Sequence, residues 1–91
     1  MTDLPDDTEI MQFPLEFPVK LIGRDDGQFH SIARALLEPI IGPIDAANIR
    51  EARSSGGKYL ALTVTFTATS RDQLDAVYRA LSDSDDVLFA Q

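Results

Sequence analysis

The amino-acid sequence predicts an α+β domain in which two helices cover one face of a four-stranded antiparallel sheet. The apolar residues of 59–68 alternate with small and polar ones, as in a strand. Residues 29–40 and 74–81 repeat apolar side chains at helical spacing. Shorter strand signals flank each helix, so the order is β–α–β–β–α–β, two strand–helix–strand halves joined by a hairpin. This is the ferredoxin-like split βαβ sandwich, with strand order 4-1-3-2.

The longest strand signal runs from Tyr59 to Ala68. Alternation sends one set of side chains towards the helices and the other onto a sheet surface that no helix covers. The first set is Leu60, Leu62, Val64, Phe66 and Ala68, and the second is Tyr59, Ala61, Thr63, Thr65 and Thr67. The preceding residues Ser54, Ser55, Gly56, Gly57 and Lys58 are predicted to form the hairpin turn, because glycine supplies the positive φ that such turns require.

The remaining strands and the chain ends have weaker signals. Residues 1–12 are acidic and are predicted to be a flexible tail before one domain at 13–91, with an acidic docking arm as the alternative. Strand one is predicted at 17–22, ending at Gly23, and Val87-Leu88-Phe89 is predicted to be the last strand. Strand two, at 44–53, carries the charged residues that are typical of a sheet edge.

Both helices have recognisable boundaries. The first should follow Asp25-Asp26-Gly27, with either aspartate as its cap, and end near Glu38, because residues before a proline disfavour helical geometry. The second should begin at Ser70, which fits a capping box with Gln73. The predicted core comprises Phe17, Val19, Leu21, Phe29, Ile32, Leu36, Leu60, Leu62, Val64, Phe66, Leu74, Val77, Tyr78 and Leu81.

Composition excludes several functional classes. The 91 residues carry a net charge of −7 and include no cysteine, so disulfides, thiolate nucleophiles and cysteine-based metal sites are excluded. Nucleic-acid binding is not expected, because it depends on many lysines and arginines along the phosphates. No apolar run is long enough to span a membrane, and no leader is apparent. We therefore expect a cytoplasmic protein that does not bind membranes.

No catalytic site, metal site or cofactor is expected. Gly56-Gly57-Lys58 opens a strand, whereas a phosphate-binding loop opens a helix. His30 is the only histidine and is predicted to lie on a solvated helix face without an orienting partner. An acylphosphatase-like hydrolase using Arg24 and Asn48 is the enzyme alternative, although Asp25 and Asp26 would repel a phosphate there.

Several short motifs together resemble the YbeD-like family of small bacterial proteins. They are Phe13-Pro14, Phe17-Pro18, Lys20-Leu21-Ile22-Gly23, the Ser54–Tyr59 hairpin, Thr63-Val64-Thr65, and Gln73-Leu74 with Tyr78 and Leu81. The resemblance covers about residues 13–90, and Leu88-Phe89-Ala90-Gln91 departs from the family pattern. It implies a ferredoxin-like sheet similar in shape to ACT regulatory domains, and a link to regulation of lipoate metabolism. It implies no catalytic residues.

Two functional hypotheses follow. The first is a regulatory or protein-interaction module that binds a protein partner, or a second copy, through its open sheet face or a sheet edge. The predicted contact residues are Lys20, Ile22, Tyr59, Thr63, Thr65 and Thr67, on a flat and almost uncharged surface, since charge is depleted at interface centres. The alternative is an ACT-like small-molecule sensor with its ligand near Gly23–Phe29. RNA binding through stacked bases is disfavoured, because Tyr59 is the only aromatic residue assigned to the open face.

Overall fold

The computed structural model describes residues 12–54 and 56–91. Most of the predicted tail and Ser55 lie outside the described residues. The strands are β1 (Leu15–Arg24), β2 (Ile49–Arg53), β3 (Tyr59–Ala68) and β4 (Phe89–Ala90), and the helices are α1 (Phe29–Ile41) and α2 (Arg71–Ser82).

The four strands form one antiparallel sheet in the order β2-β3-β1-β4, which confirms the predicted order 4-1-3-2. The two long central strands pair along their whole length, from Leu15 opposite Ala68 to Arg24 opposite Tyr59. Because directly opposed residues of an antiparallel pair point to the same side, this register fixes which side chains share each face of the sheet.

The core lies between the sheet and the helices, as predicted. Nine predicted core residues are buried: Val19, Leu21, Phe29, Leu60, Leu62, Val64, Leu74, Val77 and Leu81. Five are half-buried around them: Phe17, Ile32, Leu36, Phe66 and Tyr78. The ring of Phe17 lies 6.3 Å from Phe66 and 6.4 Å from Tyr78, between centroids. The structure adds Ala33, Leu37, Ile44 and Ala68 to the core.

Helix α1 continues three residues past its predicted end at Glu38. Pro39 lies inside its last turn, where it removes one backbone donor. Ile40 and Ile41 pack against the core in compensation, and the helix ends at Gly42, whose φ is 89°. The predicted aspartate cap is also wrong, because Gln28 is the N-cap residue and Asp26 instead accepts a hydrogen bond from the Gln28 backbone N–H.

Strand β2 begins at Ile49, five residues later than predicted. Asp45 accepts a hydrogen bond from the backbone N–H of Ala47, which favours a 3₁₀ turn over Ala46–Asn48. Ile44 is therefore a buried anchor before the turn. Its N–H donates to the Glu38 carboxylate at 3.1 Å, and its carbonyl accepts from the Arg34 guanidinium at 2.7 Å.

The second half of the domain agrees more closely with the prediction from the sequence. Ser70 caps α2 as predicted, since its hydroxyl oxygen accepts a hydrogen bond from the Gln73 N–H at 3.1 Å. The Gln73 side chain also donates to the carbonyl of Ile40, which ties the start of α2 to the end of α1. Strand β4 is displaced from its predicted position and lies at Phe89–Ala90.

Pro18 lies within a central strand, where a proline is normally excluded. Strand β4 pairs only with Leu21 and Ile22, and Gln91 then exchanges two backbone hydrogen bonds with Lys20. The Lys20 N–H points to this side of β1, so the nitrogen of Pro18, two residues earlier, points the same way. Among the described residues, no strand pairs with β1 on that side beyond Gln91, so Pro18 interrupts no ladder there.

Candidate functional site

The side of the sheet opposite the helices, called the open face below, is the candidate site. Side chains from all four strands line it by register. They are Glu16, Pro18, Lys20, Ile22 and Arg24 of β1, Tyr59, Ala61, Thr63, Thr65 and Thr67 of β3, Arg50 and Ala52 of β2, and Phe89 of β4. All six predicted contact residues therefore lie on one surface, and their role as contacts stays a prediction.

An apolar row crosses the open face from one edge to the other. Phe89 lies opposite Ile22, Ile22 opposite Ala61, and Ala61 opposite Ala52. Phe89 is 53% exposed, and Tyr59, next to Ala61 on the same side of β3, is 44% exposed. Sequence reasoning missed Phe89 and Ala52 as members of this surface, because only the strand register brings them beside Ile22 and Ala61.

Positive charge borders the apolar row. Lys20 and Arg50 lie on either side of Thr63 in the next row of opposed residues, and Arg24 lies opposite Tyr59. Glu16, near the start of β1, is the one acidic residue among the described side chains of this surface. The almost uncharged row predicted within β3 is therefore bordered by cations on the neighbouring strands.

The predicted hairpin turn joins β2 to β3 beside the apolar row. The Ser54 N–H donates to the Tyr59 carbonyl at 3.0 Å, and the Ser54 hydroxyl oxygen accepts from the Tyr59 N–H at 3.1 Å. Gly57 has a φ of 71°, the left-handed geometry for which glycine is suited, and its N–H donates to the Ser54 carbonyl. Gly56-Gly57-Lys58 therefore serves to reverse the chain.

The residue pair of the hydrolase alternative does not converge. Arg24 is opposite Tyr59 at one end of β3, while Asn48 precedes Ile49, which is opposite Val64. At about 3.3 Å per residue, these positions are roughly 20 Å apart along the sheet. The pair therefore lacks the shared position at which one phosphate could be bound.

The Gly23–Phe29 segment, where an ACT-like ligand is predicted, lines a small cleft. Arg24, Asp26 and Phe29 meet Asp85, Asp86 and Leu88 around a space of about 70 Å³. Small-molecule sites usually enclose about 300–1,000 Å³. Three carboxylates and one guanidinium at this cleft also disfavour an anionic ligand.

His30 has a partner that the sequence did not reveal. Its Nε2 lies 2.6 Å from the Glu51 carboxylate of β2, and the Arg53 guanidinium lies 3.4 Å from Glu51 and 3.6 Å from Asp25. The hydrogen bond from His30, aided by the charge of Arg53, lowers the pKa of Glu51. His30 and Glu51 are 21 residues apart, so no local pattern signals the contact. The cluster links α1 to the edge strand.

Metal-binding clusters and membrane-spanning helices are both absent from the described part of the chain. Residues 12–54 and 56–91 contain no group of three or more histidine or acidic side chains arranged to hold a metal ion. Within the same residues, neither helix combines the length and the apolar character that crossing a bilayer requires.

The sequence and the fold both match known bacterial proteins. A family model described as a protein of unknown function (DUF493) matches residues 8–90. The chain belongs to this family. DUF493 relatives include a UPF0250 protein of Paraburkholderia phytofirmans, 40% identical over 73 residues, which cover 80% of this chain and 82% of that protein. A UPF0250 protein of Bordetella pertussis is 36% identical over 81 residues, 89% of each chain. These matches confirm the YbeD-like resemblance.

A solved structure shows the same fold as this DUF493 chain. The solution structure of protein HP0495 from H. pylori superposes with a TM-score of 0.74 and covers 100% of this chain and 98% of that one. The two sequences are 16% identical, so the likeness concerns the ferredoxin-like fold alone.

Proposed function

We propose that this protein is a non-enzymatic regulatory or interaction module whose open face is the contact surface for a partner protein. The observation that carries the proposal is the apolar row from Phe89 through Ile22 and Ala61 to Ala52, which ends in a phenylalanine that is 53% exposed. Interface centres are depleted in charge and enriched in aromatic residues. Three threonines continue the uncharged surface along β3.

The charges around the row favour an acidic partner over a second copy. Lys20, Arg24 and Arg50 would approach the same residues of another copy if two open faces met, and like charges across an interface are costly. A partner with an apolar centre and an acidic rim complements this surface. The free protein is therefore expected to be a monomer, which light scattering measures.

A protein partner is also favoured over a small ligand at Gly23–Phe29 and over nucleic acid. The cleft beside Gly23–Phe29 is about 70 Å³, smaller than the usual small-molecule site of about 300–1,000 Å³. Tyr59 and Phe89 offer two exposed rings for base stacking, but the cations on the described part of this face are only Lys20, Arg24 and Arg50. Binding to a phosphate backbone depends on a larger number of lysine and arginine contacts.

Site-specific photo-crosslinking in the cells that produce the protein tests the proposal. A photoreactive residue at Ala61, on the open face, should give one dominant protein adduct, whereas the same residue at Ala35, exposed on α1, should not. Ala61→Glu should abolish association with the purified partner, and the matched variant Ala35→Glu should retain it. Equal adducts from both positions would refute the proposal. Binding of a fluorescent single-stranded RNA to the purified protein, lost in Ala61→Glu, would replace the protein partner with RNA.

A further inference from the structure

Four of the 15 acidic residues of the chain lie in the short segment that precedes the described fold. They are Asp3, Asp6, Asp7 and Glu9, all within the first nine residues. The described chain begins at Gln12 and enters β1 at Leu15. Leu15 lies opposite Ala68, so the segment joins the sheet at the end of the open face that holds Glu16 and Thr67.

The open face presents cations at a spacing suited to an acidic chain. Lys20 and Arg50 are separated by one strand, so their backbones are about 10 Å apart, twice the spacing between strands. Arg24 lies four residues beyond Lys20, at the end of β1. Among residues 12–54 and 56–91, no carboxylate forms an ion pair with any of these three side chains.

The segment is long enough to cover this surface. Eleven residues precede Gln12, and an extended chain of that length spans about 36 Å at 3.3 Å per residue. The ten residues of β1 span about 33 Å on the same basis. If the chain turns back before β1 and runs over the sheet, Asp6 and Asp7 come level with Lys20 and Ile22.

We propose that residues 1–11 dock on the open face of their own chain, with their carboxylates against Lys20 and Arg50. The segment then competes with any acidic partner for the same surface. A short tether holds it at an effective concentration of about millimolar, so a partner must overcome this local competition to bind. The docking itself needs no partner. Only the competition between the segment and an acidic partner rests on the proposed function.

Paramagnetic relaxation in the full-length chain tests the docking. The sequence has no cysteine, so Thr2→Cys provides a single attachment point for a nitroxide label. In low salt, the label should broaden the amide signals of Ile22 and Tyr59, at the far end of the open face from Gln12. The signal of Ala35, on the opposite side of the molecule, should stay sharp.

Charge variants of the labelled chain separate docking from chance proximity. D6N/D7N/E9Q should lose the broadening at Ile22 and Tyr59, and so should about 1 M NaCl, where the Debye length is about 3 Å. The matched control D83N/D85N/D86N removes three carboxylates from the loop after α2, and the broadening at Ile22 and Tyr59 should persist in it. Broadening that is equal on both faces, or unchanged in D6N/D7N/E9Q, would overturn the docking. This experiment contains no partner protein, so its failure would refute the docking alone. The crosslinking at Ala61 tests the proposed function independently.

Discussion

The ring of Phe29 lies directly over the backbone of Gly23, in the space that a side chain at this position would occupy. Phe29 is the first residue of α1 and is 2% exposed, so its ring closes the core at this end of the sheet. The sequence pattern predicts that strand one ends at Gly23, whereas β1 continues to Arg24. Glycine at this position permits the close approach of the helix to the strand.

Gly23→Ala is expected to destabilise the protein. The added methyl group would collide with the Phe29 ring, and forced overpacking of a core costs about 1–3 kcal/mol. The free energy of unfolding in urea measures the effect. Gly56→Ala is the control, since a methyl group there meets no atom within 4 Å. Equal stabilities of the two variants would show that Phe29 is not packed on Gly23.

Phe66→Ala is expected to lower the free energy of unfolding by about 3 kcal/mol, the lower end for a phenylalanine truncation, because the residue is half-buried. Phe66 lies against Phe17, which in turn contacts the Tyr78 ring edge-on. Thermal and chemical denaturation both report the loss. Tyr59→Ala, which removes an exposed ring from the other face of the same strand, should cost far less. A comparable loss of stability in both variants would contradict the assignment of Phe66 to the core side of β3 and of Tyr59 to the open face.

Glu51 is expected to contribute stability that disappears in acid. Its pKa is lowered in the folded protein by the hydrogen bond from His30, so the folded state favours the ionised carboxylate. The contribution is therefore present above the pKa of the unfolded chain, about 4.3, and is lost as the pH falls through the lower folded value. Carboxyl NMR titration of Glu51 measures that folded value directly.

His30→Ala provides the corresponding test. The Glu51 pKa should rise towards its ordinary value in this variant, and the difference in stability from the wild type should shrink as the pH falls through the lowered pKa of the folded protein. Arg53→Ala should raise the Glu51 pKa less, since its contribution is purely through charge. An unchanged Glu51 titration in His30→Ala would show that the contact does not form in solution.

Glu38→Ala is expected to destabilise the connection between α1 and β2. The Glu38 carboxylate accepts from the Ile44 backbone N–H and from Arg34, and loss of the acceptor for a part-buried donor costs about 1–3 kcal/mol. Asp75→Ala is the control, because Asp75 forms an exposed pair with Arg71 at the same helical spacing. Exposed helix pairs contribute about 0.3–0.5 kcal/mol. Denaturation that ranks Asp75→Ala as the more damaging change would contradict this assignment.

Periodicity in the sequence predicted the order of the elements and most of the core, and the rules for strand–helix–strand connections then predicted the strand order. Alternation over Tyr59–Ala68 identified the central strand, and helical spacing identified both helices, because burial of one face imposes those patterns along the chain. The prediction failed where tertiary contacts override local preference. Pro39 stays helical because Ile40 and Ile41 pack on the core, and Ile44 is fixed by Glu38 and Arg34 before β2 begins.

The candidate site was predicted only along single strands. Thr63, Thr65 and Thr67 follow from the alternation within β3, but the apolar row and its flanking cations depend on which residues lie opposite one another. Phe89 comes beside Ile22 only through the pairing of β4 with β1, which joins the last strand to the first. No turn joins β4 to β1, so their register depends on the assembled sheet, whereas the register of β2 against β3 is fixed by the hairpin between them.

Pro18 has a consequence for how the protein behaves at high concentration. The outer edge of β1 extends past the short β4, and no strand of the described residues pairs with it there; an unpaired edge of this kind normally acts as a template for a foreign strand. At Pro18 that template lacks a donor, so an incoming strand would meet an interrupted ladder. The charged residues of β2 discourage stacking at the opposite margin. Both borders of the sheet thus discourage edge-to-edge assembly of one molecule on another.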